Sequence, residues 1–195
     1  MPLNKIESLI RLCLLVVVAL SCSRLTSIAG GPEREARGLI NSSQEDLAAV
    51  RKMDSDLNSK MTRIPSLYLS KNTNEINSLL DDSNKLVEHE VELLKRAAEK
   101  LDKASQLKVG DKMKEYLALK KGAAQKRIEG YTEAGKMFKV LRDSVNGNNA
   151  AKRKAQAASQ ELNSQVRKTF EEAGELEHKA AELARQNPGL VDKET

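Results

Sequence analysis

The sequence predicts an all-α protein: an elongated antiparallel helical bundle or coiled coil, with three long helices and one shorter N-terminal helix. Three observations predict it. Alanine, leucine, lysine, glutamate and glutamine dominate beyond residue 22, which is the composition of long helices. Apolar residues recur every seventh position, with Leu79, Leu86 and Leu93 in one row and Leu80, Val87, Leu94 and Leu101 in the next. Finally, no alternating strand pattern occurs in that stretch.

The chain opens differently. Leu12 to Leu20 is its one strongly apolar run, preceded by Lys5 and Arg11 and followed by Ser21, Cys22, Ser23 and Arg24. The run is shorter than the roughly 20 apolar residues a spanning helix needs. It also lacks the polar positions that a half-buried helix shows at helical intervals. A basic head, an apolar middle and small residues after it form the order of an export signal, covering residues 1–21.

Val18-Ala19-Leu20-Ser21-Cys22 resembles the lipobox of bacterial lipoproteins, with a small residue directly before the cysteine. Ala19 departs from the leucine commonest at its place, and the resemblance covers only the first two dozen residues. It implies cleavage before Cys22, a diacylglycerol on the Cys22 thiol and acylation of the new amine. It thereby implies a body anchored by lipid in the cell envelope, facing the periplasm or the cell surface. Ser23 in place of aspartate favours the outer membrane in enteric-type bacteria. Other outcomes stay open at this point. Ser27-Ile28-Ala29 would serve as an ordinary cleavage site and give a soluble secreted bundle, and the apolar run would serve as an uncleaved anchor. In a eukaryotic source, Asn41-Ser42-Ser43 would be a glycosylation acceptor.

Loss of residues 1–21 would leave about 174, the size of one domain. Cys13 leaves with the signal and Cys22 carries the lipid, so the body is expected to hold no free thiol. A disulfide framework, a cysteine metal site and a cysteine nucleophile are excluded together. The body has no tryptophan, and its aromatics are Tyr68, Tyr116, Tyr131, Phe138 and Phe170. Deep small-molecule pockets are usually lined with such groups, so no small-molecule substrate is expected. The formal charge of +5 comes from interspersed acids and bases, the habit of a solvated helical surface rather than of a nucleic-acid binder.

Residues 23–41 show no sustained period and contain Gly30-Gly31-Pro32, so residues 22–41 read as the lipidated cysteine and a flexible tether. Nineteen residues of coil would reach about 25 Å. The first helix is expected from the capping-box pattern Ser42-Ser43-Gln44-Glu45, with Leu47, Val50, Leu57, Met61 and Ile64 on its apolar face. Pro65 is expected to stop it. The second starts near Asn72, and its two adjacent heptad rows make a stripe wide enough for more than one neighbour. Surplus stripe around Val91, Leu93 and Leu94 would pair with another helix, from a second copy or a protein partner.

Val109-Gly110-Asp111 is a turn in which Gly110 suits a left-handed cap and Asp111 an N-cap. The third helix follows with Met113, Leu117, Ala124, Ile128, Tyr131, Phe138, Leu141 and Val145. Asn146-Gly147-Asn148-Asn149 breaks it. The fourth carries Ala155, Ala158, Leu162, Val166, Phe170, Ala173, Leu176, Ala180 and Leu183, and Pro188-Gly189 ends it. The bundle thus spans residues 42–187, before a polar tail at 188–195. At about 35 residues each, the three long helices would measure about 50 Å.

Motifs with chemistry are few. Gly130-Tyr131-Thr132-Glu133-Ala134-Gly135-Lys136 fits the phosphate-loop pattern up to Met137, where the magnesium-binding hydroxyl should stand. No strand precedes it, so small residues at a close helix approach are the better account. Glu175-Leu176-Glu177-His178 is one Glu-x-x-His, but di-iron bundles need two, and Leu86 stands three residues before His89. No metal, no cofactor and no catalytic residue is expected, and the chain reads as a non-enzyme. Lys152, Arg153 and Lys154 are the exception worth keeping. They sit in the first turns of helix four, where the helix dipole disfavours cations, which points to contact with an anionic partner. Without aromatic interleaving to stack bases, nucleic acid is not that partner. The function expected is a helical scaffold, spacer or adaptor on the envelope membrane. The alternative is a lipid- or surface-binding amphipathic protein.

Overall fold

A computed structural model of the chain describes residues 31–145 and 147–191. They form an all-α protein of four helices: α1 Pro32–Leu69, α2 Thr73–Gln106, α3 Asp111–Val145 and α4 Asn149–Gln186. The described residues contain no strand, and no helix among them is long and apolar enough to cross a membrane. The export signal and Cys22 lie outside the described residues.

The first helix is not short. It begins at Pro32, ten residues before the predicted capping box, and runs for 38 residues. Pro32 suits a first helical position because its missing amide would be unpaired there. The Gly31 carbonyl accepts from the amides of Arg34 and Glu35, and Glu33 and Glu35 complement the positive end of the helix. Residues 32–41, the described part of the segment read as tether, are drawn into the helix because Ala36 and Ile40, one turn apart, are fully buried in one cluster with Leu101, Ala104, Val109 and Met113. Ser43 is buried mid-helix, and its hydroxyl donates to the Ile40 carbonyl 2.7 Å away instead of capping.

Pro65 does not stop α1 either. The proline itself is exposed, while Ile64 is buried and Leu67 packs against the same core cluster, so the helix is held on both sides of it. α1 ends instead at Leu69, and Lys71, whose φ of 55° is left-handed, turns the chain, with the Asn72 amide donating to the Leu67 carbonyl. Asn72 then caps α2. Its side chain accepts from the Glu75 amide and donates to the Glu75 carboxylate, a reciprocal cap.

The break between α2 and α3 is real, but Gly110 does not make it by a left-handed turn; Gly189 is the described glycine with positive φ. α2 stops at an extended Leu107, and Val109 is buried two residues later, so tertiary burial redirects the chain. Between α3 and α4, the Asn148 side chain accepts from the Ala151 amide at 2.9 Å. Asn187 caps the end of α4, its amide donating to the Leu183 and Ala184 carbonyls, and Gly189, at φ +110°, lies in the turn beyond.

Consecutive helices pack, α1 on α2, α2 on α3 and α3 on α4, and no other pair packs backbone to backbone among the described residues. They run in opposite directions. Asp46 meets Arg96 and Lys100 while Arg63 meets Glu75; Asp102 meets Lys121 while Asp81 meets Arg142; Lys126 meets Glu172 while Arg127 meets Glu177. The outer helices α1 and α4 are therefore edges, and the core lies on α2 and α3. One cluster gathers Val50, Leu80, Val87, Leu94, Tyr131 and Phe138, and a second gathers Ile40, Leu101, Met113 and Leu117 nearer the α1 N-terminus. Leu93 and Leu94 belong to the first and Val91 packs against it, so the stripe expected to be surplus is already used.

Candidate functional site

Two places combine unusual chemistry with defined geometry: a buried polar cluster across the middle helices, and the basic start of α4. The cluster begins on α2. Ile76, Ser83, Glu90, Ala97 and Ala104 are spaced seven apart and all are buried, so Ser83 and Glu90 occupy a core row. Both are fully buried, and neither Glu90 carboxyl oxygen nor the Ser83 hydroxyl has a hydrogen-bond partner. A buried carboxylate without partners is costly, so the proton is retained. Burial pushes Glu90 up to about 8, and the Asp54 carboxylate on α1 adds to the shift.

On the α3 side stands Tyr131, 2% exposed. Its hydroxyl donates to the Asp54 carboxylate. Burial, and then that bond, hold the phenol above the usual tyrosine range. The Tyr131 ring meets Phe170 of α4 edge to face, with centroids 4.9 Å apart and planes at 79°. One turn before Tyr131, Arg127 makes a fork to both oxygens of Glu177 on α4, each bond 3.1 Å. Burial opposes the Arg127 charge, but Glu177 outweighs it and the guanidinium is held above its ordinary value. Polar contacts thus tie α3 to α1 through Tyr131 and Asp54 and to α4 through Arg127 and Glu177, with the unbonded Glu90 of α2 close to Asp54.

A close approach permits it. A methyl on Gly130 would lie 3.2 Å from the Phe170 ring, and one on Gly122 would lie 3.3 Å from Leu176. Gly135 faces the other way, toward Asn84 and Val87 of α2. Residues 130–136, which fit most of a phosphate-loop pattern, are continuous helix, and Lys136 pairs locally with Glu133 at 2.7 Å. Their small residues serve helix contacts.

Lys152, Arg153 and Lys154 are all exposed in the first turns of α4, which contain no acid. Shallow hollows flank the α3–α4 contact there. One of about 260 Å³ is lined by Leu141, Ser144, Lys152, Gln156 and Ser159, and one of about 350 Å³ includes Asp143, Ser144 and Lys154. Structure and sequence agree on where these cations stand. His89, His178 and Glu175 are exposed, and no group of three or more metal-ligating His, Cys, Asp or Glu side chains occurs among the described residues.

Sequence reasoning passed over the Asp54–Glu90–Tyr131 cluster. The signal was present: Ser83 and Glu90 fall in the row beside Leu80, Val87 and Leu94. What the sequence did not display was a partner, because Asp54 lies 77 residues from Tyr131.

No family model, no curated protein and no solved structure matches the chain.

Proposed function

We propose that this chain is a non-enzymatic, lipid-anchored protein of the cell envelope, an elongated antiparallel bundle that acts as scaffold, spacer or adaptor through its helix faces. The carrying observation is Val18-Ala19-Leu20-Ser21-Cys22, a lipobox pattern after an export-type run and ten positions before the first core-forming helix. In this reading Cys22 is the lipidated first residue of the mature chain. From Cys22 to Pro32 the backbone can reach at most about 35 Å, so the near end of the bundle stays close to the membrane.

The alternation of helix directions puts the start of α4 at the same end of the bundle as the end of α1. Lys152, Arg153 and Lys154 are thus separated from Pro32 by about one helix length, roughly 55 Å. On a bundle standing on its lipid, they face away from the anchoring membrane. They would meet an anionic polymer or an acidic protein face on the other side. The edge helices α1 and α4 offer the remaining surface to a protein partner or a second copy.

Mass spectrometry of the mature protein tests the anchor. The reading expects residues 1–21 gone and diacylglycerol on Cys22, both abolished in Cys22→Ala. A retained signal overturns it and leaves an uncleaved anchor; a bare Cys22 thiol, or a chain cut beyond Cys22, on a soluble protein overturns it and leaves a secreted bundle.

One observation favours a second reading, a protein whose far tip binds a lipid surface. Leu69 is 87% exposed at the α1–α2 turn, at the same end as the α4 cations. Flotation of residues 23–195, made without the apolar run and without lipid, with anionic vesicles would support this reading; failure to float favours the scaffold.

A further inference from the structure

Among the described residues, Glu90 is a fully buried ionisable group with no hydrogen-bond partner. The Glu90 side chain enters the packed region where α1, α2 and α3 meet, and both its oxygens are shielded from solvent and unbonded. From α1 it is faced by the Asp54 carboxylate, and from α3 by the Tyr131 hydroxyl, already committed to Asp54. Arg127 is the nearby cation on α3, and its fork is taken by Glu177 of α4. On its own helix, Ser83 stands two turns away with an unpartnered hydroxyl. Among the described residues no cation offsets a charge on Glu90.

We propose that Glu90 is a proton-operated lock on the α1–α2 joint: protonated, it permits the closed core, and ionised, it drives α1 to swing open and admit water. The joint is identified by geometry. α1 is an edge helix whose backbone packs on α2 alone. Ionised Glu90 repels Asp54 across that interface, whereas α3 presents a neutral hydroxyl. Opening also breaks the Tyr131–Asp54 bond, the polar tie from α1 to α3.

The sign follows from linkage. The closed form holds the Glu90 proton to about pH 8, while an open, hydrated Glu90 returns to the ordinary value near 4.5. Closure is therefore tightest below about pH 4.5 and weakens as pH rises to about 8, where the effect levels off. Over that window the opening constant rises about tenfold per pH unit, the consequence of one proton released on opening.

Hydrogen exchange of the full chain, followed by mass spectrometry on wild type and Glu90→Gln side by side, reads this directly. The ratio of wild-type to variant exchange cancels the intrinsic pH dependence of amide exchange. In α1 peptides the ratio should climb about tenfold per unit between pH 5 and 8 and then flatten, with a smaller climb in α4. A flat ratio, or an equal climb in all four helices, overturns the lock. Carbon-13 carboxyl spectra of the wild type supply an independent measurement. The resonance missing from Glu90→Gln or Glu90→Asp should titrate near pH 8 and shift lower in Asp54→Asn. Titration near 4.5 overturns the proposal.

Discussion

The Tyr131 hydroxyl on α3 donates a hydrogen bond to the Asp54 carboxylate on α1, joining two helices whose backbones do not pack together. Tyr131 also buries its ring against Phe170 of α4. One side chain therefore touches both edges of a chain-ordered helical array.

Tyr131→Phe keeps the ring packing and deletes the tie. The variant should lose about 1.5–3 kcal/mol of stability, the range for a side-chain hydrogen bond to a charged acceptor. A double-mutant cycle with Asp54→Ala, which removes the acceptor, in urea unfolding should return most of that loss as coupling. Additive losses would show that the bond contributes nothing of its own.

Glycines 130 and 174 make opposite predictions. Gly174 lies mid-helix with nothing within 4 Å of an added methyl, so Gly174→Ala should gain about 0.5–1 kcal/mol of helix propensity. Gly130→Ala would press on the Phe170 ring at 3.2 Å and should fall about 1–2 kcal/mol below Gly174→Ala. Melting temperatures of the two variants decide it.

Pro65 sits inside a continuous α1, exposed and without the amide that the helix would use. Pro65→Ala restores that donor. Stability should rise by as much as about 3 kcal/mol, with helicity by circular dichroism unchanged or higher. A loss of stability would count against an unbroken α1.

Asp46 gives an acid-side pH dependence. Its side chain is 5% exposed between Lys100, 2.7 Å away, and Arg96. Burial pushes the carboxyl up, but the bonds and charges of Lys100 and Arg96 outweigh it, and the net position is below the ordinary value near 3.8. The contribution is therefore present above about pH 4 and is lost as pH falls through the lowered value. Asp46→Asn should cost about 1–3 kcal/mol at pH 7. Thermal melts from pH 7 to 2 should show the wild type converging on the variant.

Lys152→Glu replaces a cation by an acid near the positive end of α4, in a first turn that lacks acids. Stability should rise by about 0.3–1 kcal/mol at low salt, and the gain should shrink in high salt. If the cations contact an anionic partner, that gain is accompanied by weaker retention on an anionic matrix.

Local chemistry alone determined that the chain is helical and placed three of its boundaries. The Asn72 and Asn148 caps act on amides three residues away, and Asn187 closes α4 by donating its amide and side chain to the Leu183 carbonyl four residues back. The seven-residue apolar rows fixed which side of α2 turns inward, because the period is a property of the helix itself. The tertiary structure decided the rest. Residues 32–41 are helical because Ala36 and Ile40 bury against side chains some 60 to 75 positions away, and Pro65 is carried through because Ile64 and Leu67 are held by the core on either side. That Glu90 faces Asp54 and Tyr131, without a cation, was likewise a matter of how three helices meet. Caps and periods are written into neighbouring residues, whereas the free energy of burial depends on what arrives from elsewhere in the chain.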